Sequence, residues 1–265
     1  ANGTLTTNNY NLTADGLLSA TATGASRIVN LGSSTVTLTG ASGLVFTSYP
    51  VTLNTGTSTI NFTYTSGSFS IAPTAGTTFY NLNIAPPTQP SNGVIATISN
   101  SPTITNFNVF SRTNSYIYTI NFAAATTTTI TNFTINSAGS TGSGRFLLGS
   151  NSSGVSATLS LPNTPSVTDV DFKDITVTGT AAPISGTRLG DCGNNSGITF
   201  PAGTTKYIAA GTASSSWGSN IWATSSGGSA AAENYPLPQD TVIIDNAEIG
   251  RAHVLTPVTL IYLVC

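Results

Sequence analysis

The sequence predicts an all-β chain wound as a parallel β-solenoid, of right-handed β-helix type, with coils of about 24–26 residues. Three observations predict it. A short phrase recurs at nearly constant spacing, apolar and polar residues alternate inside each phrase, and the repeating part is almost free of charge.

The recurrence is plainest in NLGSSTVTLTG (30–40) and NTGTSTINFTY (54–64). Asn30 falls on Asn54, Gly32 on Gly56, Val36 on Ile60 and Leu38 on Phe62, always 24 residues apart. A second phrase follows as YNLNI (80–84), TNFNV (105–109) and TNFTI (131–135), with Asn81, Asn106 and Asn132 separated by 25 and 26 residues. Periods of this length belong to stacked coils or blades. The content of each phrase is a strand, because side chains on extended backbone face alternate sides with a period of two. Val36/Leu38, Ile60/Phe62, Leu82/Ile84, Phe107/Val109 and Phe133/Ile135 are the expected inward residues, with Thr and Asn between them outward. Clusters such as Ser66-Gly67-Ser68 and Gly139-Ser140-Thr141-Gly142-Ser143 are expected turns.

Stacking explains the scarcity of charge. Residues in register on neighbouring coils lie about 5 Å apart, so a repeated charge would repel itself, whereas Thr and Asn can hydrogen-bond along the stack. Only 6% of residues are charged against a usual value of roughly 25%. Residues 1–168 hold one acid, Asp15, and three bases, Arg27, Arg112 and Arg145. A net charge of −2 with scattered bases argues against nucleic acid as a partner, and the chain lacks the roughly 18 consecutive apolar residues of a membrane-inserted helix. Two cysteines, Cys192 and Cys265, define neither a disulfide framework nor a metal-ligand spacing, and no cofactor motif is present. The chain starts at Ala1 and contains no Met, which reads as a piece of a longer protein.

Chemistry-bearing residues are few. SVTDVDFKDITVTG (166–179) reads as strands with Val170 and Phe172 inward and Asp169, Asp171 and Lys173 outward. Together with Asp174, these acids could bind Ca²⁺ or act as acid and base, with Lys173 or Arg188 beside them. The simpler reading is an outward face on which Lys173 compensates the acids. RLGDCGNNSGITF (188–200) is a turn entering a strand, with Cys192 a small packing residue, and Lys206-Tyr207 falls on a closing strand. Trp217 and Trp222 read as core or cap aromatics, the alternative being a platform on which a sugar ring stacks.

Three units follow: a solenoid over 1–208, a Trp/Pro-containing linker and the start of a second, truncated solenoid module over 209–248, and a tail over 249–265. SWGSNIWATSSGGSAAAENYPLPQDTVIIDN (216–246) resembles the opening of β-solenoid passenger modules in bacterial surface proteins. LTTNNYNLTA, NLGSSTVTLTG, STINFT, FYNLNI, VDFKDI and GDCGNNSGITF resemble parallel β-helix repeat proteins of phage and bacterial surfaces known from environmental sequence. The resemblance implies an extracellular, virion-associated or cell-surface structural role, a surface glycan or receptor as partner, and association as a homotrimer, although no heptad repeat is present. It carries over no catalytic residues. The tail IGRAHVLTPVTLIYLVC resembles a translated sequencing adapter: Ile249–Val254, Thr256–Thr259 and Leu263–Cys265 match, and Leu255 stands at a stop codon. Its His253 and Cys265 are therefore discounted as site residues.

The expected role is a structural or adhesive rod, tail-fibre-like or adhesin-like. A polysaccharide lyase or glycoside hydrolase on the same fold is the alternative, requiring carboxylates facing each other across a cleft. An ice-binding face is disfavoured because Asn61 interrupts the Thr column and the coil length drifts.

Overall fold

The computed structural model describes residues 3–18, 27–46, 51–85, 94–109, 118–136, 144–209 and 219–245. Alternating Thr/Asn and aliphatic or aromatic residues form short strands, and each turn of the chain returns a strand to the one before it. Successive coils contribute β1 (Gly3–Thr6) and β2 (Leu12–Leu18); β3 (Arg27–Asn30) and β4 (Thr35–Val45); β5 (Val51–Asn54), β6 (Thr59–Phe62) and β7 (Gly67–Ala72). Next come β8 (Thr78–Ile84) and β9 (Val94–Ile98); β10 (Thr103–Val109) and β11 (Tyr118–Phe122); β12 (Thr127–Asn136) and β13 (Phe146–Ser150). The last coils carry β14 (Ala157–Ser160), β15 (Ser166–Thr168) and β16 (Val170–Lys173); then β17 (Ile175–Thr178) and β18 (Gly190–Asp191). Every ladder among these strands is parallel, so the fold is a parallel β-solenoid. Among the described residues there is no α-helix, and no helix long and apolar enough to cross a membrane.

One face stacks β2, β4, β6, β8, β10, β12, β14 and β17, and another stacks the far halves of β2 and β4 with β7, β9, β11, β13, β16 and β18. The long strand β4 turns the corner between them, pairing with β6 through Thr35–Leu38 and with β7 through Leu44 and Val45. A third, shorter face is β1-β3-β5. The two phrases of the sequence occupy one column: Leu12, Val36, Ile60, Leu82, Phe107 and Phe133 are consecutive register partners. The step from Ile60 to Leu82 is 22 residues, shorter than the coil length expected from the sequence. From Val36 onward this column is buried, as is the column Phe69, Ala96, Ile120, Leu148 and Phe172 on the second face. Phe107 and Phe133 stack with ring centroids 5.4 Å apart and planes at 10°. Each fully buried side chain of this size contributes about 1.5–3 kcal/mol.

Outside, the polar columns bond along the solenoid axis. Asn81 Nδ2 donates to Thr59 Oγ1 at 3.0 Å, Asn106 Nδ2 to Asn81 Oδ1 at 2.8 Å, and Asn132 Nδ2 to Asn106 Oδ1 at 2.8 Å. A second ladder runs from Asn108 through Asn83 to Asn61, and a third from Asn54 through Asn30 to Thr6. A neutral amide both donates and accepts, so it can repeat in register where a charge cannot.

The echoed lead-ins are stacked turns. Asn9, Gly32 and Gly56 all adopt positive φ (66°, 56° and 57°), and a Cβ on Gly56 would lie 2.4 Å from the carbonyl oxygen of Gly32. The tight approach of one turn to the next therefore requires glycine there. The triplet Ser66-Gly67-Ser68 differs from expectation: only Ser66 lies in the bend, and Gly67 and Ser68 begin β7. The expected turn at 139–143 lies outside the described residues.

At the C-terminal end, β19 (Thr205–Ile208) pairs antiparallel with β20 (Trp222–Ala223) and parallel with β21 (Thr241–Ile243). This small sheet joins the two units expected on either side of residue 208.

Candidate functional site

Charged side chains gather at one corner near the C-terminal end of the solenoid. Pairing of Phe146 with Val170 brings Arg145 beside Asp169, and the bridge between Thr168 and Thr187 brings Arg188 beside Asp169 on the other side. The resulting column runs Arg145, Asp169, Arg188. Alternating sign is the electrostatic solution to in-register stacking, since neighbours about 5 Å apart then attract.

Arg145 Nη1 donates to Asp169 Oδ1 at 3.2 Å, while Arg188 Nε and Nη2 donate to Asp169 Oδ1 and Oδ2, both at 2.6 Å. Arg145 also grips Asp171, through Nε at 3.1 Å to Oδ2 and through Nη2 to Oδ1, and its Nη2 reaches the Arg188 carbonyl oxygen at 2.9 Å. The Asp169 side chain is 3% exposed and that of Arg145 7%. The hydrogen bond to Asp169, together with the charges of Asp169 and Glu233, holds the Arg188 guanidinium above the ordinary arginine range, against the opposing effect of burial. A raised folded-state value means that the Arg188 side of this pairing stays fully charged at any pH below the ordinary arginine value. That charge is lost only as pH rises through the still higher folded one.

Asp169 does not face outward, contrary to the alternation read from the sequence; it is buried, as is Asp174. The reason is local conformation. Both residues flank β16 at φ 58°, in the left-handed region, where the strand rule for side-chain direction no longer applies. Asp174 Oδ1 accepts from Asn194 Nδ2 at 2.6 Å and Oδ2 from the Gly154 amide at 3.0 Å. Asp171 is half-buried on the outer face of β16, and Val170 and Phe172 point into the core as expected. Arg145 and Arg188 both pair with Asp169, and Arg145 also pairs with Asp171.

This arrangement is built for cohesion. Asp169, whose oxygens both accept guanidinium hydrogens and whose side chain is closed to solvent, has no route to a substrate proton. Asp169 and Asp171 are bridged by a shared arginine, Arg145. Among the described residues, no three of His, Cys, Asp and Glu converge to hold a metal ion. Cys192 is half-buried, and its amide donates to the Phe172 carbonyl at 2.9 Å.

The segment 219–245 closes over this end. Gln239 Oε1 accepts from the Asp191 amide at 3.0 Å and its Nε2 donates to the carbonyls of Leu189 and Pro201. Asp240 accepts from the Thr204 amide and hydroxyl. Trp222 is 1% exposed, which corrects the sugar-platform alternative for this residue: neither ring face is open to a ligand. Trp217 lies outside the described residues, as do His253 and Cys265.

Compared with protein-family models, curated proteins and solved structures, the chain matches none. Fold and site together define an all-β solenoid protein whose charged cluster ties adjacent coils.

Proposed function

We propose that the chain is a non-enzymatic structural and adhesive rod, part of a tail-fibre-like phage protein or a bacterial cell-surface protein, working outside the cell. The observation that carries this reading is the use of its charged side chains. Arg145, Asp169, Asp171 and Arg188 bond one another between coils. Asn ladders fix the outer face in the same way. A stack of this kind holds loops at fixed separations, and the loops can meet a surface glycan or receptor while the scaffold stays rigid.

The test is incubation of the full chain with purified bacterial capsular and exopolysaccharides, following new reducing ends and unsaturated uronate, alongside digestion with a broad-specificity protease. The expected result is no depolymerisation and a solenoid that survives protease conditions degrading ordinary globular controls. Release of oligosaccharides in proportion to enzyme concentration would instead establish a polysaccharide lyase or hydrolase.

A further inference from the structure

β18 is the last strand of its face and, among the described residues, pairs only with β16. Its far edge is nonetheless closed. In a parallel ladder, a residue on the next strand donates its amide to the carbonyl before its partner and accepts, through its own carbonyl, from the amide after that partner. Gln239 does both with its side chain: Nε2 donates to the Leu189 carbonyl and Oε1 accepts from the Asp191 amide, each at 3.0 Å. The carboxamide therefore stands where the backbone of a further coil would stand opposite Gly190. The approach is close, since a Cβ on Gly190 would lie 2.6 Å from Pro238 Cδ. Nε2 also reaches the Pro201 carbonyl at 3.2 Å, so one side chain ties two segments.

Neighbouring bonds fix Gln239 in place. Asp240 Oδ1 accepts from the Thr204 amide at 2.6 Å and from its hydroxyl at 3.0 Å, and Asp240 Oδ2 accepts from the Leu237 amide at 2.9 Å. The Thr241 amide donates to the Thr204 carbonyl at 2.8 Å, which leads into the parallel pairing of β21 with β19. Apolar burial adds little here: within residues 231–245 only Pro236 is buried. A segment held by polar contacts over few buried groups opens at lower cost than the coils beneath it.

We propose that residues 236–241 are a releasable clasp that ends coil stacking, with the Gln239 carboxamide serving as a surrogate peptide group on the edge of β18. Closed, the clasp blocks a further parallel coil at Gly190 and shields an edge that would otherwise be free to bond to extended chain. Released, it bares the Leu189 carbonyl and the Asp191 amide while the coil itself stays folded.

Two adjacent amides of the last coil supply the test. The Asp191 amide bonds outward to Gln239, whereas the Cys192 amide bonds back to the Phe172 carbonyl at 2.9 Å. Residue-resolved hydrogen exchange by NMR on the full chain finds both protected, Asp191 less so than Cys192. Gln239→Ala speeds Asp191 exchange by about tenfold or more, the loss expected for two hydrogen bonds, and leaves Cys192 unchanged. Gln239→Glu acts in the same direction, because it sets a carboxylate oxygen against the Leu189 and Pro201 carbonyls in place of the donor. An Asp191 amide that exchanges like an unprotected one in the unmodified chain, unchanged Asp191 exchange in either variant, or acceleration of Asp191 and Cys192 together would each overturn the proposal.

Discussion

Asp169→Ala lowers the free energy of unfolding by about 3–5 kcal/mol, because it leaves two guanidinium groups facing each other with their shared counter-ion gone. The Asp169 side chain is 3% exposed and bonded to Arg145 and Arg188 on the coils before and after it. Asp169→Asn retains the amide oxygen and tolerates positive φ, so it costs less than alanine while still losing the charge. Asp171→Ala costs less again, since that side chain is 20% exposed and water replaces part of the interaction. Urea titration of the three variants, compared by midpoint at constant slope, checks the order. A cost below about 1 kcal/mol for Asp169→Ala would mean that the column is ornamental, as most exposed ion pairs are.

Phe107→Ala has an effect of similar size by a different route, about 3–5 kcal/mol from lost burial and the cavity left behind. Phe107 is fully buried between Leu82 and Phe133 in the inward column, and its ring stacks on that of Phe133. Stacked repeats bury their core only against neighbours, so a hole in a middle coil weakens both interfaces it shares. Phe107→Leu, which repeats the residue one coil earlier, is the milder change. Thermal denaturation monitored by circular dichroism ranks the two variants. Equal melting temperatures for Phe107→Ala and the unmodified chain would place the ring outside the core.

The fold was legible because each coil must present the same residue types at the same corner. Val36 over Ile60 and Phe107 over Phe133 follow from spacing and alternation alone. The 22-residue step at Leu82 was not legible, because it falls where one phrase gives way to the other. Nor was the contraction near the end, where Ala157 pairs with Ile175 and Asp171 with Gly190 at offsets of 18 and 19 residues. The charged corner was half legible. Alternation placed Val170 and Phe172 correctly and failed at Asp169, since the rule presumes extended backbone and this residue is left-handed. The partner Arg145 could have been found by applying the coil offset to charges, since it precedes Asp169 by 24 residues, the spacing that links Val36 to Ile60.

Cysteine cross-linking tests the stacking most directly, in a chain with Cys192 and Cys265 replaced by serine. Thr35 and Thr59 are parallel register partners, as are Thr37 and Asn61, and all four lie on the outward side of β4 and β6. Adjacent strands about 4.8 Å apart bring such pairs within disulfide reach. The parallel solenoid predicts that Thr35→Cys/Thr59→Cys and Thr37→Cys/Asn61→Cys both oxidise readily within one chain, while Thr35→Cys/Thr63→Cys does not. Linkage of 35 to 63 without linkage of 35 to 59 would reveal an antiparallel pair and contradict the coil.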